Sequence, residues 1–213
     1  MRERIVSKET LAKRLLKKFG QDEPIFTSEI LSVWKEYSRP RVFQILKEMV
    51  NEGKIIKKES GVYYFPLIIE RTGRPMSLSR TQVLEKKFLF QKEEIYGYYS
   101  SLKLLNGLHL ITQMPFDIEM VSSNTSAGIR KVDVNVTVRR SKVQITKNNV
   151  HALMLLEAFK EMRRPLYKKE VKWMREFVQV KNIKKEDVLR YSRHFPAHTL
   201  DSILRTGIDN VFA

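Results

Sequence analysis

The chain has 213 residues, of which 42% are hydrophobic and 30% charged, a balance typical of a globular protein. It contains no cysteine, which excludes disulfides, thiolate zinc sites and cysteine nucleophiles. Forty Lys and Arg against 24 Asp and Glu give a formal net charge of +16, and such an excess favours polyanionic partners, nucleic acid among them.

Apolar residues at helical spacing predict three helices in the first third of the chain. Ser7 opens the first helix, and Thr27 is the expected N-cap of the second. Ser38 and Pro40 begin the third helix, since Ser suits the cap and Pro the first turn. This third helix is expected to end just before Gly53.

Two short strand patterns follow, over 54–57 and 62–65, and they are separated by the turn 58–61. Three helices followed directly by a hairpin predict a winged helix-turn-helix over residues 1–70. We expect this domain to bind double-stranded DNA, because the start of the third helix carries polar groups suited to base edges. The expected contacts are Ser38, Arg39, Arg41, Gln44 and Lys47 on the helix, with Lys57 and Lys58 on the wing.

Another interpretation of this domain stays open. Many winged helices bind protein, and a basic helix face is often only solvated. Glu48, Glu52 and Glu59 count against a DNA interface, because carboxylates repel phosphate.

Residues 71–80 are predicted to be a linker, and 81–213 a second domain. Helices are expected over 84–90 and 99–105, and several strands over 116–145 with a turn at 124–128. Asn148 or Asn149 is the expected cap of an apolar helix that runs through Met162, and about three further helices follow. The predicted fold class is α+β: an N-terminal winged helix, then a mixed α/β domain with a small sheet and a helical C-terminus.

A longer pattern in this second domain points to a known family. Four segments together resemble the AbiEi-like antitoxin family: 98–115, 116–124, 143–149 and 153–158. The first of them contains Leu-Asn at 105–106 and Thr-Gln-Met-Pro at 112–115. The winged-helix segment is also similar to that family's N-terminal domain. The resemblance covers about residues 8–65 and 94–158.

The resemblance implies the antitoxin of a type IV toxin–antitoxin module, which acts in abortive infection as a phage defence. It implies an N-terminal domain that binds inverted repeats in its own promoter and represses transcription. It also implies a C-terminal domain that counteracts a nucleotidyltransferase-like toxin. Two other functions stay open: a stand-alone winged-helix regulator that senses a ligand, and an enzyme that acts on nucleic acid.

The remaining polar motifs are interpreted as structural. We expect Gln113 to satisfy buried backbone groups and Pro115 to stiffen the entry to a strand, with Thr112 beside them. Asp117 and Glu119 share a strand face, but the further residues that metal-dependent nuclease chemistry requires are not evident. The four histidines lack metal-ligand spacing. No catalytic residue, metal or cofactor is therefore expected.

A basic segment at 160–185 holds ten Lys and Arg against three Glu. It is either a solvated helix face or a second surface that contacts phosphate or the toxin. Its candidate residues are Arg163, Arg164, Lys168, Lys169, Lys172 and Arg175. No apolar run is long enough to span a bilayer, and no apolar signal region follows Met1, so we expect a cytoplasmic protein.

Overall fold

The computed structural model describes residues 8–162 and 164–212, so Ser7 and Arg163 lie outside the described residues. The fold is mixed α+β, as predicted. The chain divides into two compact units, the first ending at Leu84 and the second beginning at Glu85.

The first unit opens with three helices and a small sheet. Its elements are α1 (Lys8–Phe19), β1 (Ile25–Phe26), α2 (Thr27–Val33), α3 (Arg39–Asn51), β2 (Ile56–Glu59) and β3 (Val62–Tyr64). The strands pair antiparallel in the order β1–β3–β2. The short strand β1 was not predicted.

One apolar cluster holds these elements together. Trp34 is fully buried, and it is surrounded by Leu11 and Leu15 of α1, by Ile30 of α2 and by the inner face of α3. Burial of each such side chain contributes roughly 1.5–3 kcal/mol, so the cluster dominates the stability of this unit.

The starts of α2 and α3 differ from each other. Ser38 occupies the N-cap position of α3, as predicted, although its side chain makes no capping hydrogen bond, and Pro40 lies in the first turn. Thr27, however, is the first residue of α2 and not its cap. Its hydroxyl instead donates to the carbonyl of Gly61 at 3.1 Å, and its N–H donates to the same oxygen at 2.9 Å. The side chain of Thr27 therefore holds the β2–β3 turn.

The segment predicted to be a linker contains regular structure. Strands β4 (Ile68–Ile69) and β5 (Arg74–Pro75) form a hairpin, and α4 (Arg80–Phe88) follows. Leu78 is buried in a cluster with Val62, Tyr64 and Val83. The boundary between the two units falls within α4.

The second unit begins with a hairpin of β6 (Phe90–Gln91) and β7 (Glu94–Ile95). It continues through β8 (Gly97–Ser100), α5 (Ser101–Gly107), β9 (Ile118–Ser122), β10 (Ile129–Asp133) and β11 (Val136–Arg140). The larger sheet has the strand order β10–β11–β9–β8, with β9 and β11 parallel. The helices α6 (Val150–Glu161), α7 (Lys168–Val180), α8 (Lys185–Ser192) and α9 (Ala197–Arg205) follow, and then a short 3₁₀ helix (Ile208–Val211).

Helix α6 is the centre of this second unit. Leu155, Leu156 and Ala158 are completely buried, as expected for a helix that is apolar on most sides. Asn149 precedes α6, and its side-chain oxygen accepts the N–H of Thr146 at 2.8 Å. The predicted apolar helix and its cap residue are therefore present.

Candidate nucleic-acid interface

Helix α3 has two distinct faces. Val42, Ile45, Leu46 and Met49 are buried, with at most 2% of their surface exposed. Apolar residues at this spacing occupy one side of a helix, so the intervening side chains face away from the core. The outward set is Arg39, Arg41, Gln44 and Lys47, and all four are exposed, as is Ser38 at the cap.

Three side chains of the outward set already have a partner on the same helix. Arg41 Nη1 donates to Gln44 Oε1 at 2.8 Å. The guanidinium of Arg39 lies 5.7 Å from the ring centre of Phe43. Phe43 is 39% exposed, and sequence reasoning missed it as part of this face. The sequence did contain a signal for the exposure of Phe43, because position 43 falls outside the spacing of the buried residues at 42, 45, 46 and 49.

The carboxylates near α3 are neutralised by neighbouring lysines. Lys8 Nζ lies 2.6 Å from Glu48 Oε2 and 3.0 Å from Glu52 Oε1, and Lys54 Nζ lies 2.9 Å from Glu52 Oε2. Hydrogen bonds from Lys54 and Lys8 lower the pKa of Glu52 below its ordinary value. The negative charge is thus balanced at the C-terminal half of α3, and the N-terminal half keeps its basic side chains.

The β2–β3 hairpin is short and held at its tip. The turn consists of Ser60 and Gly61, and Gly61 has the positive φ of +76° that a tight turn requires. Lys57 is exposed on β2. Lys58 Nζ lies 3.3 Å from Ser77 Oγ, and Glu59 pairs with Arg80 at 2.8 Å. Of the two predicted contacts on this hairpin, Lys57 is therefore the more accessible.

The candidate cations described in the basic segment of the second unit are all exposed, but two of them, Arg164 and Arg175, also bind other groups of the same unit. Arg164 donates through both terminal nitrogens to Glu170, at 2.6 and 2.8 Å, and this contact lowers the pKa of Glu170. Arg175 Nη2 donates to the carbonyl of Gly207 at 3.3 Å. Lys168, Lys169 and Lys172 are exposed at the start of α7. We call these three residues the α7 lysines.

The loop before β9 is held differently from the expectation. The side chain of Gln113 is exposed, so the prediction that it satisfies buried backbone groups is wrong. Asn106 Nδ2 instead donates to the carbonyls of Ile111 and Gln113, at 3.4 and 3.1 Å. Thr112 is exposed and Pro115 half-buried on the way to β9.

The acidic and histidine side chains of the second unit lie in separate places. Asp117 precedes β9, and Glu119 lies on it, with both exposed. His109 packs edge-on against Trp173 at 6.1 Å, and His151 against Phe177 at 6.2 Å. Burial, with a smaller effect of Lys181, lowers the pKa of His151. Within residues 8–162 and 164–212, no group of three or more His, Asp or Glu side chains is arranged to hold a metal ion.

A buried carboxylate that sequence reasoning missed lies in α6. Glu157 is 1% exposed, and its Oε1 accepts from Ser100 Oγ at 2.7 Å, Arg139 Nη2 at 2.7 Å and Lys160 Nζ at 2.8 Å. Burial alone raises the pKa of Glu157, but the charge of Arg139 and the bonds from Lys160 and Ser100 outweigh it, so the pKa is lowered. The one signal in the sequence was a Glu within an otherwise apolar helix.

No protein-family model matches the chain, and no curated protein matches it. None of the helices in the described part of the chain has the length and apolar character that a bilayer crossing requires.

Proposed function

We propose that the first unit is a winged helix-turn-helix that binds double-stranded DNA, with α3 as its recognition helix. One observation carries this proposal. The buried face of α3 fixes the helix against the core, and the opposite side exposes Arg39, Arg41 and Gln44 at its N-terminal half. In helix-turn-helix proteins this end of the recognition helix contacts base edges in the major groove.

The order of the elements supports the same assignment. Helices α2 and α3 are joined by the short turn 34–38, and β2 and β3 follow as the wing, with β1 completing the sheet. Arginine pairs well with guanine and glutamine with adenine, so Arg41 and Gln44 are suited to direct readout. Lys47 and Lys57 are suited to phosphate.

A binding titration tests the DNA assignment. The probes are a duplex taken from upstream of the gene for this protein and a shuffled duplex of equal composition, at one fixed salt concentration. We expect Lys47→Ala to weaken binding to both duplexes. Lys54→Ala, which removes a cation at the opposite end of α3, is the matched control. Equal effects of the two variants would refute the assignment of α3.

The resemblance to AbiEi-like antitoxins extends the proposal to the whole chain. The protein represses its own promoter through inverted repeats, and its second unit counteracts a nucleotidyltransferase-like toxin, by binding and not by catalysis. The exposed α7 lysines support a surface for an acidic or phosphate-bearing partner.

Co-expression with the product of the neighbouring gene tests the antitoxin role. We expect the unaltered protein to rescue growth. A variant in which the three α7 lysines are changed to Glu, which reverses their charge, should rescue growth less well. Reversal of three other exposed lysines, Lys181, Lys184 and Lys185, changes the net charge equally and serves as the control. Failure of the unaltered protein to rescue growth would overturn the antitoxin role while leaving the DNA assignment intact.

A second candidate function is a stand-alone regulator that senses a small molecule. The observation that favours it is a cavity of about 430 Å³ in the second unit, with mainly apolar walls. Tyr99, Leu104, Val150, Met154 and Phe177 contribute to these walls. This volume lies within the usual range of small-molecule pockets. A ligand-dependent change in DNA affinity, without a neighbouring toxin gene, would favour this function.

A further inference from the structure

A smaller cavity of about 180 Å³ lies in the second unit and has a different chemical character. Its wall includes three cationic side chains, Arg139, Lys142 and Lys160, and one carboxylate, Glu157. Ser141 also lines it. Basic groups from β11, from the segment after it and from α6 therefore converge on one small space.

Glu157 positions two of these cations. Its Oε1 holds Arg139 and Lys160 at 2.7 and 2.8 Å, and Glu157 itself is almost completely buried. The contact uses one terminal nitrogen of Arg139, and a guanidinium carries five N–H donors. The side chains of Arg139 and Lys160 are 31% and 29% exposed, so both remain accessible from the cavity.

The charge around the cavity is positive overall. Glu157 offsets one of the three cations, and Glu161, whose Oε1 lies 2.9 Å from Lys160 Nζ, offsets a second. One positive charge is left, and Lys142 contributes it from an exposed position, with its Nζ donating to the carbonyl of His194 at 3.3 Å. A site of this kind attracts anions, because charge-assisted hydrogen bonds from Arg and Lys recognise oxyanions.

The size of the cavity limits the class of ligand. Pockets for drug-sized molecules usually measure about 300–1,000 Å³, so a cavity of about 180 Å³ fits a compact group. A concave space of this size also differs from the open surface that duplex DNA requires. We propose that this cavity binds a phosphate group on Arg139, Lys142 and Lys160, either as the free ion or as the end of a small phosphomonoester.

Isothermal titration calorimetry of the 213-residue protein tests the site. The probes are inorganic phosphate and glycerol 3-phosphate, and chloride at equal ionic strength is the control anion. We expect binding of at least one of these probes and not of chloride. Binding of glycerol 3-phosphate alone assigns the site to phosphomonoesters, and equal binding of both assigns it to the phosphate group itself. Binding of neither probe overturns the proposal, as does displacement of phosphate by a short DNA duplex.

Two variants separate this site from a purely structural ion cluster. Lys142→Gln is expected to weaken phosphate binding about two- to fivefold, as for an exposed charge pair, and Lys147→Gln, an exposed lysine outside the cavity, to leave it unchanged. Glu157→Gln is expected to strengthen binding, because Arg139 and Lys160 lose their internal counterion. Equal behaviour of the two lysine variants, or weaker binding by a folded Glu157→Gln protein, would overturn the proposal.

Discussion

The guanidinium of Arg41 donates to the side-chain oxygen of Gln44 almost one turn further along α3. This contact holds both side chains in one orientation on the exposed face, so each is partly ordered before any base is met. It leaves further N–H donors on Arg41 and both donors on the Gln44 amide nitrogen for base edges. The pair therefore forms the centre of the proposed readout.

Replacing either Arg41 or Gln44 by Ala is expected to cost about 1–3 kcal/mol at the specific DNA site and to relax the sequence preference there. Stability should change by less than about 0.5 kcal/mol, because both side chains are exposed. Dissociation constants for the upstream and shuffled duplexes measure the effect. Equal losses on both duplexes would show that these residues do not read bases.

Lys57 is one of the proposed phosphate contacts. Lys57→Ala is expected to weaken binding to all sequences alike and to reduce the slope of log affinity against log salt by roughly one unit. Lys58→Ala should have a smaller effect, because its ammonium already lies beside Ser77. Titrations at several salt concentrations measure both slopes, and an unchanged slope for Lys57→Ala would remove the wing from the interface.

Glu157 makes stability depend on pH. Its pKa in the folded protein lies below the ordinary value of 4.5, so its stabilising contribution is present above that value and is lost as the pH falls through the folded pKa. We expect Glu157→Gln to cost about 1–3 kcal/mol near neutral pH, and the difference from the unaltered protein to narrow in acid.

Urea unfolding at about pH 7 and about pH 3.5 measures that difference. Glu119→Gln removes an exposed carboxylate from β9 of the same unit and serves as the control. A difference that stays constant across this range would contradict the ionised, ion-paired state of Glu157.

Strand β8 depends on a close backbone approach at its first residue. A Cβ added at Gly97 would lie 2.7 Å from the carbonyl oxygen of Val121, and closer still to that of Phe88. Gly97→Ala is therefore expected to destabilise the second unit by about 1–3 kcal/mol or more. Gly107→Ala is the control, since among the described residues no atom other than those of its chain neighbours and its own helix backbone lies within 4 Å of that Cβ. Thermal unfolding compares the two variants. Equal unfolding midpoints would contradict the close backbone approach at Gly97.

The same strand shows where prediction from sequence failed. Tyr99 was expected to begin a helix, but it pairs with Met120 in the sheet, and α5 begins only at Ser101. The sequence pattern allows either structure over so short a segment, and here residues 97–100 pair with β9 in the sheet. The predicted strand at 143–145 is absent from the described structure, although Ile145 is buried as a strand residue would be.

Longer elements were predictable because their periodicity extends over several turns. The spacing of Val42, Leu46 and Met49 identified the inner face of α3, and the apolar run after Asn149 identified α6. The outward residues of α3 followed directly from that spacing. The pairing of Arg139 on β11 with Glu157 on α6 did not, because contacts between side chains on different elements depend on tertiary packing and leave no periodic signal.

The two units of the molecule have separate hydrophobic cores. The core of the second unit, around Leu155, Leu156 and Met174, lies entirely after Glu85. Leu78 belongs to a cluster with Val62 and Tyr64 of the first unit. A fragment of the second unit should therefore begin after Leu78 and keep the whole of α4.

We expect a fragment of residues 79–213 to fold cooperatively, because its core is complete. It should fail to bind the upstream duplex and, under the antitoxin proposal, still rescue growth from the toxin. Circular dichroism during thermal unfolding verifies folding, and co-expression scores rescue. If the fragment folds but does not rescue growth, while the intact protein represses its promoter, the antitoxin role is contradicted. The protein would then be a transcriptional regulator only.

The tip of the β2–β3 hairpin is tied to the start of α2 by two hydrogen bonds between Thr27 and Gly61. A turn held in this way moves with α2, so its distance from α3 is set by the protein. A duplex that meets both α3 and the hairpin must then adapt its own groove width and curvature to that fixed spacing. The free-energy cost of this deformation is lower for sequences whose base steps kink easily or whose grooves narrow easily, even where no side chain touches the bases. In the proposed DNA complex, these two hydrogen bonds would therefore make part of the sequence selection depend on how easily the DNA deforms.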